Sequence, residues 1–509
     1  MFVSVIRSRS VSSIKEESCR MESELSRRTS SQQGWRVRLA QLSNSRIFSA
    51  VAVVVSILLI AFVDGLPYEA KVTAFFFLLA MGLWIGSSLP AGYVALGAVI
   101  AIVLFRGAEA SLLYESFAEE VVWLMVGAFI IGEAVRESGL ASRFTRGVVR
   151  RARHSGHVMT LLTLALQVVS FFIPSTSGRA ALSMPIVKEI SALLHSKRQK
   201  QTLAMLVPIM ILMSTSATLI GAGAHVIGIG ILEQTSGQTI SYVQWFVWGV
   251  PFVLVICAIS LLVIQKLYGA KEPLQPLGEQ SRSIEADHVA TSNSSSLTVM
   301  EKKTLWMTGG LIIAWMTESL HGYDLAFITM IGALLFMTPQ WGVISWKQGI
   351  KSVSWSLIVF VAAATALGKG LVETGVVNWI QQRLFQFLDV LQHVPDFVIL
   401  LTVLIITVTS HLYITSHTTR AVVMIPGLIV FGQSLGLNET AIVFLSLVAM
   451  NYCVTFPVSS KALLLFYEDE EVAYDAKDLL KLSMIMMPVY VLVMIVFYYT
   501  YWNWTGLSL

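Results

Sequence analysis

Two short polar segments lie deep in apolar sequence, and they match. They are Ser175-Thr176-Ser177-Gly178-Arg179-Ala180, closed by Pro185, and Ser416-His417-Thr418-Thr419-Arg420-Ala421, closed by Pro426. Ser, Arg, Ala and Pro recur at the same spacing in both. An arginine near the centre of a membrane span costs about 2.5–3.5 kcal/mol on insertion scales, so such residues are retained for a reason. The duplicated pair predicts an anion site approached from two sides.

The sequence around the pair reads as membrane protein. Of 509 residues, 55% are hydrophobic and only 13% are charged. The mean hydropathy is +0.72. Apolar runs long enough to cross a bilayer recur along the chain. The expected spans are 47–64, 71–88, 90–105, 119–135, 202–220, 243–267, 303–320, 324–340, 354–371, 437–456 and 480–502. The fold class is therefore an all-α polytopic membrane protein with about 11 transmembrane helices. The alternating polarity of a membrane β-barrel is absent.

The polar segments fall inside two further apolar stretches, 157–195 and 394–432. Polar backbone at that depth is tolerated only inside protein or beside a cavity. Each stretch reads as a re-entrant hairpin with its polar segment at the tip. The alternative is two full spans joined by an outside loop.

Charge placement sets the orientation. Residues 1–46 hold nine Lys/Arg against four Glu, and 136–153 adds Arg136, Arg143, Arg146, Arg150, Arg151 and Arg153. Basic flanks of spans are cytoplasmic. This places the N-terminus inside, the acidic loop 106–120 outside, loop 341–353 inside and the C-terminus outside, in a plasma (inner) membrane protein. The basic residues read as span flanks, so no nucleic-acid partner is expected. Cys19, Cys257 and Cys453 have neither metal-ligand nor disulfide spacing.

Four regions follow. Residues 1–46 form a disordered basic tail, and 47–267 form a first membrane half containing hairpin 157–195. Residues 268–302 form a Pro-, Gly- and Ser-rich cytoplasmic linker, and 303–509 form a second half containing hairpin 394–432. The halves repeat: Glu137-Ser138-Gly139-Leu140 corresponds to Glu373-Thr374-Gly375-Val376, ahead of each hairpin. An odd number of crossings separates the copies, so they are inverted, which is the architecture of secondary transporters. After each hairpin comes a broken span, at Ile220-Gly221-Ala222-Gly223-Ala224-His225 and at Phe456-Pro457-Val458-Ser459-Ser460-Lys461. Broken helices offer N–H groups to anions and C=O groups to cations.

Taken together these residues resemble the divalent anion/sodium symporter family, the solute carriers for dicarboxylates, citrate and sulfate. The family carries a Ser-Asn-Thr motif at each of two hairpin tips, with Pro ten residues after the Ser, as at Ser175–Pro185 and Ser416–Pro426. Gly132-Glu133-Ala134-Val135-Arg136-Glu137-Ser138-Gly139-Leu140-Ala141, Gly368-Lys369-Gly370-Leu371-Val372-Glu373-Thr374-Gly375 and Thr317-Glu318-Ser319-Leu320-His321-Gly322 are also similar to family stretches. The resemblance covers about 45–505. It implies a homodimer with a scaffold and a moving transport domain, an elevator motion, and substrate held between the hairpin tips. It also implies sodium held by tip residues and broken-span carbonyls, here Ser175, Thr176, Gly221, Ser416, His417 and Ser459. No organic cofactor is implied.

The chain departs from that pattern. The motif Asn is Thr176 in one copy and His417 in the other, and Arg179 and Arg420 stand where small residues are usual. The expected anion ligands are Ser175, Thr176, Ser177, Arg179, Ser416, His417, Thr418, Arg420, Ser460 and Lys461. Arginine can hold two oxygens of a carboxylate or sulfate at once. Each arginine could instead brace its own hairpin by bonding backbone carbonyls, and His417 could couple transport to protons. The function expected is secondary active transport of small di- or trivalent anions, coupled to sodium, protons or counter-anion. Alternatives are an arsenite or sodium/proton antiporter-like member of the superfamily and, from another class, a membrane sensor or membrane enzyme. No metal or nucleophile constellation supports an enzyme.

Overall fold

The computed structural model describes residues 65–509 apart from 88, 141, 144–146, 148–153, 172, 174, 193, 195, 270–296, 386–394, 415 and 470. The basic tail, the span expected at 47–64 and most of the linker lie outside the described residues.

The first half runs α1 (Tyr68–Gly86), α2 (Ala91–Leu104), α3 (Ser111–Ser116), α4 (Glu120–Glu137), α5 (Ser155–Val169), α6 (Thr176–Ala192), α7 (Lys197–Met213), α8 (Gly223–Ser236) and α9 (Tyr242–Tyr268). The second runs α10 (Val299–Met316), α11 (Leu325–Phe336), α12 (Trp346–Ser352), α13 (Trp355–Glu373), α14 (Val376–Phe385), α15 (Asp396–Thr409), α16 (His417–Ser434), α17 (Glu439–Met450), α18 (Lys461–Tyr467) and α19 (Ala476–Phe497). By length and composition, Lys197–Ala217, Tyr242–Tyr268, Trp355–Glu373 and Ala476–Trp502 can each cross a bilayer. The stretches expected as hairpins each contain two helices, α5 and α6 in the first and α15 and α16 in the second.

The tips end where the motif serine caps the return helix. Ser175 Oγ accepts from the Gly178 N–H at 3.1 Å, and Ser416 Oγ accepts from the Thr419 N–H at 3.3 Å. Each serine thus satisfies an otherwise unpaired first-turn donor, worth about 1 kcal/mol. Pro185 and Pro426 sit inside the return helices.

Both broken spans open earlier than the glycine and proline signals predict. The helix of the span expected at 202–220 stops at Met213, and that of 437–456 stops at Met450. In the first, Ser214 and Thr215 hydroxyls bond back to the Ile211 carbonyl, an alternative to the helical ladder. Two 3₁₀ turns, Ser214–Ala217 and Leu219–Gly221, then lead to the extended Ala222. In the second, the 3₁₀ turn Pro457–Ser459 leads to the extended Ser460. Ala222 and Ser460 have nearly equal dihedrals, φ −147°, ψ 144° and φ −151°, ψ 142°. The two breaks are one backbone device built from different residues.

The halves interlock. α4 packs on α11, and α2 on α13, so each half lends a helix to the other. The same exchange occurs at the hairpins: α8 packs on α16 and α18 on α6. Each hairpin's return arm therefore rests on the broken span of the opposite half, which brings both tips and both breaks to one place.

Candidate anion site

The first residues of four helices meet around a cavity of ≈ 730 Å³. They are Thr176 of α6, Gly223 of α8, His417 of α16 and Lys461 of α18. The N-termini of α6, α8 and α16 turn unpaired N–H groups and the positive ends of their dipoles toward this space. Ser175, Ser177, Ser416, Thr418, Ser459 and Ser460 add hydroxyls to the wall. Lys461 is the only Asp, Glu, Lys or Arg among the described lining residues. A small dianion fits such a wall, since donors and the Lys461 ammonium surround it and no carboxylate among the described lining residues opposes it.

Nine of the residues expected to bind substrate or ion line this cavity: Ser175, Thr176, Ser177, Ser416, His417, Thr418, Ser459, Ser460 and Lys461. Arg179, Arg420 and Gly221 do not. Both arginines are fully buried behind the wall. Arg179 donates from Nη1 to Ser214 Oγ at 3.0 Å and from Nη2 to Thr215 Oγ1 at 3.1 Å and the Gly221 carbonyl at 3.4 Å. Arg420 donates from Nη1 to the Met450 carbonyl at 2.7 Å.

These partners share a position. Each arginine binds where the first half of its own broken span ends, after Met213 in one case and at Met450 in the other. The C-terminal end of a helix carries about half a negative charge and unpaired carbonyls, so it attracts a cation. Gly221 belongs to this arrangement: a Cβ there would lie 2.3 Å from the Thr215 carbonyl oxygen, so only glycine lets the two strands of the break approach.

The two broken spans add Leu212, Ile220, Ala222, Val226, Cys453 and Val458, and the rest of the wall comes from α2 (Ala91, Gly92), α4 (Leu124, Met125, Ala128, Phe129) and the start of α13 (Ser354, Ser356, Leu357, Phe360). The sequence carried no sign of Ser354 and Ser356, which precede and open an ordinary apolar helix. It also missed Asn451. This buried amide bonds Ser216 and His225 of the first half, which lie close to it only after folding.

Two halves whose serine-capped helices and broken spans meet at a donor-lined cavity have the arrangement of a secondary transporter of anions. The chain belongs to the family described as the sodium:sulfate symporter transmembrane region, which matches residues 41–508. It is 22% identical over 414 residues to the sodium-dependent dicarboxylate transporter SdcS of Staphylococcus saprophyticus, covering 75% of this chain and 78% of that one. It is 23% identical over 337 residues to the citrate/succinate antiporter of Escherichia coli K12, covering 63% and 65%. In fold it is similar to the YdaH transporter of Alcanivorax borkumensis, with a TM-score of 0.53 at 14% identity over 87% of this chain and all of that one.

Proposed function

We propose that this transporter exchanges small dicarboxylates across the plasma membrane without a sodium gradient. The observation that carries the reading is the burial of Arg179 and Arg420 where the first half-helix of each broken span ends. A hard cation needs oxygen ligands and room at such a place. Here the tethered guanidinium groups occupy the ends of both half-helices and supply fixed positive charge beneath each tip. The charge that loaded sodium would otherwise bring is already part of the protein.

The anion is held between the tips. The hydroxyls of Ser175, Thr176, Ser177, Ser416, Thr418 and Ser460 and the Lys461 ammonium bind its two charged ends. A fixed positive site left empty at membrane depth is costly, so the empty carrier returns slowly and exchange is favoured over net flux. The citrate/succinate antiporter relative works in that mode by its name.

An elevator motion of hairpins and broken spans against α1–α4 and α10–α13, in a homodimer, fits the way the halves interlock. With the basic loops inside, the N-terminal ends of α2 and α13 are cytoplasmic, so the cavity faces inward. A sodium-coupled mode is the second reading, favoured by the family and by the sodium-dependent dicarboxylate transporter relative.

Counterflow in proteoliposomes separates the two. Vesicles preloaded with succinate are expected to take up labelled succinate at least about 10-fold faster than empty vesicles, with potassium as the only alkali cation. Uptake into empty vesicles that requires an inward sodium gradient would establish symport instead.

A further inference from the structure

We propose that the site prefers dicarboxylates bearing a hydroxyl group, because His417 presents a hydrogen-bond acceptor to the cavity. This rests on the dicarboxylate reading above and specifies its substrate.

The argument follows a chain of hydrogen bonds across the two halves. His225 Nδ1 lies 3.3 Å from the Thr218 carbonyl and 3.2 Å from the Leu219 carbonyl. Carbonyls only accept, so Nδ1 carries the proton and Nε2 of the neutral ring is an acceptor. Asn451 Nδ2 lies 2.8 Å from that Nε2 and also bonds Ser216 Oγ, so both of its hydrogens are used. The amide orientation is thereby fixed, and Asn451 Oδ1 is left enclosed with no partner.

His417 Nε2 is likewise enclosed with no partner. The Met450 carbonyl and the Asn451 side chain are the polar groups beside its ring. Both present acceptors, so Nε2 is the N–H of the ring, poised to close on either. Arg420 stands one turn further along the same helix, and His225 and Lys461 stand on α8 and α18. With cationic or neutral groups on every side the imidazole stays neutral. Its lone pair is then on Nδ1, which is not among the enclosed unpartnered atoms, and since His417 lines the cavity we assign Nδ1 to the cavity side.

Among the described lining residues, Ser, Thr and Cys side chains can donate and Lys461 must donate. Apart from the weakly accepting Met125 sulfur, His417 Nδ1 is the one side-chain atom among them that can only accept. A carboxylate oxygen meeting it brings lone pair against lone pair. A hydroxyl beside the carboxylate brings the missing proton.

The test is equilibrium binding to the purified full chain at pH 8, with succinate, malate and 2-methoxysuccinate. Malate differs from succinate by one hydroxyl, and the methoxy compound keeps that oxygen without its hydrogen. Malate is expected to bind at least about 5-fold tighter than succinate, and methoxysuccinate no tighter than succinate. His417→Asn, which restores the amide usual in the family, can turn either edge to the cavity and is expected to bring the malate/succinate ratio within about 2-fold of one. Equal binding of malate and succinate to the wild type, or methoxysuccinate binding as tightly as malate, overturns the proposal and leaves the dicarboxylate reading standing. If none of the three binds, both fall.

Discussion

Arg179 and Arg420 occupy equivalent places in the two repeats, yet their surroundings differ. Arg179 bonds two hydroxyls and a carbonyl and leaves only Nε without a hydrogen bond, whereas Arg420 bonds one carbonyl and leaves both Nε and Nη2 without one among the described residues. Removing Arg179 therefore strands three groups arranged around a planar fork. Arg179→Ala is expected to destabilise the protein by about 1–3 kcal/mol, read by thermal unfolding in detergent. It is also expected to cut exchange severely, with partial recovery in millimolar guanidinium. Guanidinium can refill the space, while an equimolar ammonium salt cannot make the same forked contact. Equal recovery with both salts would mean that charge alone matters there. The repeated spacing made both arginines legible as a pair, but not their direction. A residue one turn past a helix start can point to the tip or to the neighbouring span, and packing alone decided for the broken span.

At the scale of elements, the serine-capped helices and the breaks were readable because each needs residues that a plain span avoids. Serine caps at Ser175 and Ser416, prolines at 185 and 426, and the run Gly221-Ala222-Gly223 all interrupt apolar sequence. The true start of each break was hidden. Ser214 and Thr215 look like tolerated span residues until their hydroxyls are seen turning back on Ile211. Asn451 was hidden for a similar reason, since its partners come from the other half. The packing at the break gives a clean comparison of two glycines. Gly221→Ala would place a methyl 2.3 Å from the Thr215 carbonyl oxygen, whereas a Cβ at Gly427 in α16 meets nothing within 4 Å. Gly221→Ala is expected to lose about 1–3 kcal/mol and most exchange activity. Gly427→Ala is expected to be neutral or to gain about 0.4–1 kcal/mol with activity intact. Thermal unfolding and counterflow on the two variants check both outcomes. A tolerated Gly221→Ala would mean that the break is not held closed by this approach.

For the whole molecule, the pairing of the two halves sorts charge by helix polarity. Helix N-termini from both halves surround the cavity, and the C-terminal ends of α7 and α17 lie behind it against the arginines. Donors thus face the anion, and acceptors face the fixed cations. The sequence carried this plan through its repeats and its two broken spans. It left open whether the positive charge touches substrate or stands behind it. The central claim is that these guanidinium groups stand in for bound sodium. The most direct measurement is the dissociation constant of succinate for the purified protein, taken while sodium is exchanged for N-methylglucamine at constant ionic strength. The account predicts a constant that does not change with sodium. A constant that falls tenfold or more for each tenfold rise in sodium, the signature of one or more linked ions, would contradict it.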